Sequence, residues 1–339
     1  MTSPRVSIVV PCYNEAECLA TLHARLSAVG RSVAGDDYEI LFVNDGSRDD
    51  SWAIMAGLAR VDPRLVAINL SRNHGHQLAL TAGLDLCRGS HIFIIDADLQ
   101  DPPELLGPML EAMDCDRADI VYGVRTERAG ETAFKKLSSA AFYRLLRYAT
   151  DVEIPLDSGD FRLMSRRALD VFLAMPEQAR FVRGMVAWSG FRQLPFPYER
   201  SARFAGETKY PLRKMIAFAL DALTGFSTAP LKVASHAGLW LAAGSFLLLI
   251  YIGFSWASGH TIAGWTSLML VVVVIGAIQM FVLGMIGEYI GRIYTQSKNR
   301  PLYIVQDVVG ARLGRATLGI DASVAEGPLA VQPEGRQRG

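Results

Sequence analysis

The chain has 339 residues, 50% of them hydrophobic and 20% charged, with 34 basic and 34 acidic side chains. That is less charge than the roughly 25% usual in soluble domains, and a net charge of zero gives no overall electrostatic case for nucleic acid as a partner. The four cysteines, Cys12, Cys18, Cys87 and Cys115, have no CxxC spacing, which argues against a disulfide-stapled secreted module and for a cytosolic location of the part that carries them.

Taken in order, the first apolar run ends at Pro11, too short for the apolar segment of a signal peptide, and reads as a strand. Short β-rich runs then alternate with helical patterns. Strands are predicted at 6–10, 38–44, 65–69, 91–96 and 120–122, and helices near 15–26, 51–59, 77–86 and 104–113. Such alternation predicts an α/β domain with a mostly parallel sheet covered on both faces, in which ligands collect at the carboxyl ends of the strands. Polar clusters fall at three of those ends: Tyr13-Asn14-Glu15, Asp45-Gly46-Ser47 and Asp96-Ala97-Asp98.

Further on, Phe134, Leu137, Ala141, Phe142 and Leu145 form an apolar helical stripe with lysines and arginines nearby, and Leu212, Met215, Ile216, Ala219, Leu220 and Leu223 form another. The second stripe leads into two uncharged stretches, 237–257 and 265–287, each long enough to cross a bilayer at about 20 residues per span. Arg213, Lys214 and Lys232 precede the pair, and Arg292, Lys298 and Arg300 follow it. By the positive-inside rule both flanks lie in the cytoplasm. The expected organisation is a cytosolic catalytic domain over 1–209, amphipathic juxtamembrane helices over 210–235, a transmembrane hairpin within 236–291, a cytosolic segment over 292–309 and a disordered tail over 310–339. The expected location is the cell (plasma) membrane, multi-pass, with the catalytic domain and both termini cytoplasmic.

A dinucleotide fold would carry G-x-G-x-x-G and a P-loop G-x-x-x-x-G-K-[ST]; neither motif occurs. The run HIFIID passing into Asp96-Ala97-Asp98-Leu99-Gln100 instead offers oxygen ligands two residues apart, suited to Mg²⁺ or Mn²⁺ held together with substrate phosphates. His74 and His76, in SRNHGHQ, lack zinc spacing and read as ordinary loop histidines.

The segments VSIVVPCYNE, VNDGSRDDS, SRNHGHQLALTAGLD, DADLQDPPE, GDFRLMSRR and RSARFAGETKYPLRKM, followed by the apolar hairpin, resemble the polyisoprenyl-phosphate glycosyltransferases. These are inverting family-2 enzymes with a GT-A (nucleotide-diphospho-sugar transferase, Rossmann-like) fold, and the likeness is greatest to the bactoprenol glucosyltransferase branch, with dolichol-phosphate mannose synthases as relatives. The resemblance implies a nucleotide site at Pro11, Tyr13, Glu15, Asp45 and Asp96, and a metal and diphosphate site at Asp96, Asp98 and Gln100, with Asp98 also catalytic. It implies that Asp160 acts as base or acceptor-orienting group, and that Arg125, Arg128, Arg162, Arg200, Arg203 and Lys209 handle phosphates. The expected partners are a nucleotide sugar, a polyprenyl phosphate, the bilayer and further copies of the chain, tetramers being the form in relatives. Because a lipid phosphate is already anionic, Asp160 is expected to orient the acceptor and Arg162 more than to remove a proton. His74 stands where relatives usually have Phe.

The resulting expectation is transfer of a sugar, UDP-glucose being the favoured donor, to undecaprenyl phosphate with inversion. The residues leave open UDP-N-acetylhexosamine, UDP-galactose, an amino-arabinose donor and GDP-mannose. They also leave open a non-catalytic nucleotide-sugar-binding membrane adaptor. A processive polysaccharide synthase would carry Q-x-x-R-W and more spans, and the chain has neither.

Overall fold

The computed structural model describes residues 3–126, 158–199, 229–258 and 265–310. The five predicted strands are present as β1 (Val6–Cys12), β2 (Tyr38–Asn44), β3 (Leu65–Leu70), β4 (His91–Ile94) and β5 (Ile120–Arg125). The helices between them are α1 (Ala16–Ala34), α2 (Ser51–Val61), α3 (His76–Leu86) and α4 (Leu106–Asp116). α1 runs eight residues past its predicted end at Leu26. Gly30 lies within the added turns, where a Cβ would come within 2.6 Å of the Tyr38 ring.

Three strands that the pattern of the sequence did not announce complete the sheet: β6 (Ser158–Ser165), β7 (Gln193–Tyr198) and β8 (Val305–Val309). The order is β7-β5-β6-β4-β1-β2-β3-β8. β1 to β4 run parallel, β5 and β7 share their direction, and β6 and β8 run against it. The sheet is thus the mixed but mainly parallel α/β sheet of a GT-A-like domain.

Alternate residues of a strand face opposite sides, so a continuous apolar strand serves two cores. Val6, Ile8 and Val10 of β1 pack with Leu19, Leu22, Met55 and Met109 of α1, α2 and α4 on one face. Val9 packs on the other with Leu80 and Leu84 of α3, Leu169 and Phe172 of α5 (Arg166–Ala174) and Met185 of α6 (Val182–Trp188). α3 lies close against β1 because Gly83 has no side chain there; an added Cβ would collide with Val9 and sit 3.0 Å from Val43 Cγ2. Gly83→Ala is expected to cost about 1–3 kcal/mol through overpacking. Thermal unfolding checks this, and an unchanged midpoint would mean that α3 is free to shift outward.

The hairpin consists of α7 (Ala229–Ala257) and α8 (Trp265–Ser297). α7 begins inside the stretch expected as juxtamembrane, so 229–235 belong to the span helix; 210–228, with the second apolar stripe, lie outside the described residues, as does the stripe at 134–145. α8 continues ten residues beyond the uncharged stretch, through the Glu288–Arg292 ion pair at 3.1 Å. Over Val271–Ser297 none of this helix is buried by the rest of the protein. At 1.5 Å per residue these 27 residues span about 40 Å, and the exposed Val273, Phe281 and Leu283 present a surface that lipid, not water, would cover.

Past α8 the chain returns to the domain. The Tyr303 hydroxyl donates to Asp85 Oδ2 at 2.6 Å, Ile304 C=O accepts the Ser71 N–H at 2.9 Å, and β8 pairs with β3. The segment expected simply as cytosolic chain is therefore the end of α8 followed by an edge strand.

Candidate active site

The carboxyl ends of β1, β2, β3 and β4 converge as expected. Pro11 can stand in a central strand because the β1–β4 ladder ends at Val9–Ile94, so its missing N–H falls where no ladder bond is made. It is buried within β1, whereas Tyr13 is exposed at the strand end. The loops after β1 and β2 are tied together: Asn14 N–H donates to Ser47 Oγ at 3.0 Å, Arg48 N–H to Asn14 Oδ1 at 2.8 Å, and Glu15 N–H to Ser51 Oγ at 3.0 Å.

Asp45 is buried and accepts the N–H groups of His74 at 2.7 Å and Gly75 at 3.0 Å. Burial raises its carboxyl, and these two bonds oppose the rise. Gly46, with φ +64°, lets the β2 loop touch the 71–75 loop, since a Cβ would lie 2.5 Å from the Asn73 nitrogen. Asp45 thus holds the loop after β3. Each carboxylate oxygen keeps a second lone pair for a ligand donor.

After β4, Asp98 is buried and its Oδ1 accepts the Gln100 N–H at 3.1 Å, while Leu99 between them takes a left-handed φ of 58°. Strain of this kind in a bulky residue marks a turn held by its surroundings. Asp96 Oδ1 is buried and accepts no hydrogen bond from the described residues, with His76 Nε2 3.7 Å away. Burial, with Asp160, Asp101 and Asp98 nearby, pushes its carboxyl up to about 6 against the pull of His76. No group of three His, Cys, Asp or Glu side chains among the described residues forms a ready metal cage. The orphaned Asp96 oxygen beside Asp98 and Gln100 nonetheless fits a divalent ion whose shell the ligand completes.

β6 runs against β4, so its first residues, Gly159 and Asp160, arrive at this same end of the sheet. Asp160 is 4% exposed. Its Oδ1 accepts Arg183 Nε at 2.9 Å, and its Oδ2 accepts Gln77 Nε2 at 3.0 Å and His76 Nε2 at 3.1 Å. Burial alone would raise this carboxyl, but His76, Arg183 and Arg162 overcome burial and hold it far below the usual carboxylate range. A group so firmly ionised is a poor proton acceptor.

Arg162 departs from expectation. It is 3% exposed, with Nη2 on Gly159 C=O at 3.1 Å and Nε on Asp160 C=O at 3.3 Å. Burial lowers it to about 10, which leaves it cationic. Its buried guanidinium is turned onto these two carbonyls, with Asp160 Oδ1 3.9 Å from Nη2, so it braces Asp160. Arg125 ends β5 with its Nη2 only 3.2 Å from where a Cβ on Gly159 would stand, beside Tyr198, whose hydroxyl donates to buried Asp101 at 2.6 Å. Arg128, Arg200, Arg203 and Lys209 lie outside the described residues.

His76, expected to be an ordinary loop histidine, instead opens α3 and bonds Asp160, and neither Gln77 nor Arg183 was expected at the site. A signal existed for His76 and Gln77: SRNHGHQ follows β3 as the other polar clusters follow β1, β2 and β4. None existed for Arg183, which sits in α6, 23 residues beyond Asp160.

Residues 7–173 match the family model "Glycosyl transferase family 2", and 229–293 match "GtrB C-terminal hairpin". The glycosyltransferase YkcC of Bacillus subtilis (strain 168) is 48% identical over 305 residues, covering 90% of this chain and 94% of that protein. The prophage bactoprenol glucosyl transferase homolog of Escherichia coli (strain K12) is 36% identical, covering 90% and 99%, and the bactoprenol glucosyl transferase of Shigella phage SfV is 35% identical, covering 89% and 98%. With a cradled aspartate and an acidic turn at the strand ends and a hairpin of this kind behind them, the chain belongs to the family-2 glycosyltransferases of GT-A fold that carry the GtrB C-terminal hairpin.

Proposed function

We propose that the protein transfers a sugar from a nucleotide-sugar donor, UDP-glucose foremost, to polyprenyl (undecaprenyl) phosphate with inversion. In this reading it sits in the cell membrane on two spans with its catalytic domain and both termini cytoplasmic. The observation that carries it is the cradle of Asp160, whose carboxylate is locked between Arg183, His76 and Gln77, which favour its ionised form, beside Arg125 and the Asp96–Asp98 turn. Such a group suits positioning better than proton removal, and a lipid phosphate needs positioning because it is already a nucleophilic anion. A phosphate oxygen attacks the anomeric carbon as the bond to the nucleoside diphosphate breaks on the opposite face. Asp45 and the tied loops after β1 and β2 would receive the nucleoside, and Asp96, Asp98 and Gln100 would hold Mg²⁺ or Mn²⁺. When bound there, such an ion neutralises charge developing on the leaving diphosphate. Arg125, with Arg128, Arg200, Arg203 and Lys209, would offset the repulsion between the two anions. The names of the bactoprenol relatives support a lipid acceptor.

The test uses the full chain in nanodiscs with undecaprenyl phosphate, Mg²⁺ or Mn²⁺, and labelled UDP-glucose, UDP-N-acetylglucosamine, UDP-galactose and GDP-mannose. Label is expected in the lipid phase from UDP-glucose, with the product's anomeric configuration opposite to the donor's. Asp98→Ala is expected to lower the rate by about a hundredfold or more, as loss of one charge-stabilising group does. Nucleotide binding without transfer from any donor would instead identify an adaptor.

A further inference from the structure

We propose that Gln296, at the end of the long membrane helix, is a positioning residue for Asp160. Its side-chain amide is used on both sides. Nε2 donates to Pro176 C=O at 2.6 Å, and Oε1 accepts the Gln178 N–H at 2.8 Å. Residues 176–181 form neither helix nor strand, so their order depends on such ties. Arg180 supplies another by capping Phe172 C=O at 3.2 Å and Met175 C=O at 2.8 Å.

The far end of this segment belongs to the site. Val182 N–H donates to Gln77 Oε1 at 2.9 Å, the same amide whose Nε2 donates to Asp160, and the next residue, Arg183, grips the other oxygen of Asp160. One short segment therefore has the root of α8 at one end and the Asp160 cradle at the other. Tyr303 and β8 already attach the returning chain to the domain by bonds that do not involve this segment. Gln296 is thus not needed to hold the hairpin on. It sets where residues 176–183 lie, and through Val182 and Arg183 where Gln77 and Asp160 point. The inference rests on Asp160 serving the proposed transfer for its rate consequence, but not for its structural one.

Hydrogen exchange on the full chain in nanodiscs reads the structural part without any substrate. In Gln296→Ala the Val182 and Arg183 amides are expected to exchange about tenfold faster, with β1 to β4 unchanged. Unchanged exchange at Val182 overturns the proposal whatever the activity. With lipid acceptor, Gln296→Ala is expected to lower kcat about tenfold at constant donor KM, as a small misplacement of a positioning group does. Gln296→Glu, which keeps the acceptor for Gln178 but repels the Pro176 carbonyl, should fall between. In a Gln77→Ala background the Gln296→Ala loss should shrink, because only the route through Arg183 remains; an equal loss in both backgrounds overturns the proposal. A wild-type chain that transfers no sugar would refute the functional reading and leave exchange at Val182 to decide this one.

Discussion

Asp160→Ala is expected to lose transfer and a large share of the domain's stability together. The substitution leaves Arg162, 3% exposed, and the partly buried Arg183 without their carboxylate. Uncompensated buried charge of this kind costs about 3–5 kcal/mol. For a domain of this size that lowers the unfolding midpoint by roughly 6–20 °C. Asp98→Ala, by contrast, removes a cap on the Gln100 N–H and should cost about 1 kcal/mol, although its effect on rate is as severe. Asp160→Asn keeps the shape and one acceptor oxygen, and should fall between the two in stability. Thermal unfolding of the three purified variants in detergent, set beside their transfer rates, checks this. If Asp160→Ala melted within about 2 °C of wild type, less than 1 kcal/mol would be at stake, and the cradle would not be the hub its geometry indicates.

Glu39→Ala should show the reverse, a large loss of stability with little loss of turnover by the folded fraction. Glu39 is 1% exposed at the start of β2. It accepts the Ser7 hydroxyl at 2.7 Å, the Arg88 N–H at 2.7 Å, and the Arg88 guanidinium at 2.8 and 3.2 Å. This network pins the amino ends of β1 and β2 to the turn before β4. Removing the carboxylate takes the acceptor from the Arg88 amide and from the Ser7 hydroxyl proton, although Ser7 Oγ still accepts the Gly89 N–H at 2.7 Å, and should cost about 3 kcal/mol, the low end for a broken pair because Arg88 can turn to water. The seven residues of β2, at about 3.3 Å each, separate Glu39 from the catalytic end by roughly 20 Å. The folded variant should accordingly keep its kcat. Glu39→Gln, which keeps the acceptor oxygen, should lose less. A Glu39→Ala protein as stable as wild type would show that water replaces the network without cost.

Much of the site could be read from local pattern. The runs ending at Cys12, Asn44 and Ile94 are apolar on both faces and break into polar residues where the strands stop, so the positions of Tyr13, Asp45, Asp96 and Asp98 at one edge followed from periodicity and the parallel topology it implies. Asp160 is different. GDFRL sits at the beginning of a strand, the wrong end for a parallel sheet, and only the antiparallel insertion of β6 between β4 and β5 delivers it to the site.

The same distinction explains Arg162. Residue type alone suits an arginine beside Asp160 to phosphate, but its place in β6 turns the guanidinium onto the carbonyls of Gly159 and Asp160. β8 was also hidden, because Val305–Val309 is short and follows a membrane helix. It becomes a strand by pairing with the exposed edge of β3, where Asp307 also accepts Asn69 Nδ2 at 3.3 Å. The sequence by itself determined the alternating α/β domain, the acidic turn, the two long apolar helices and the family. The tertiary structure alone decided which charged groups meet at Asp160, because hydrogen bonds from His76, Gln77 and Arg183 join residues up to 84 positions from it, and no local periodicity encodes contacts over that distance.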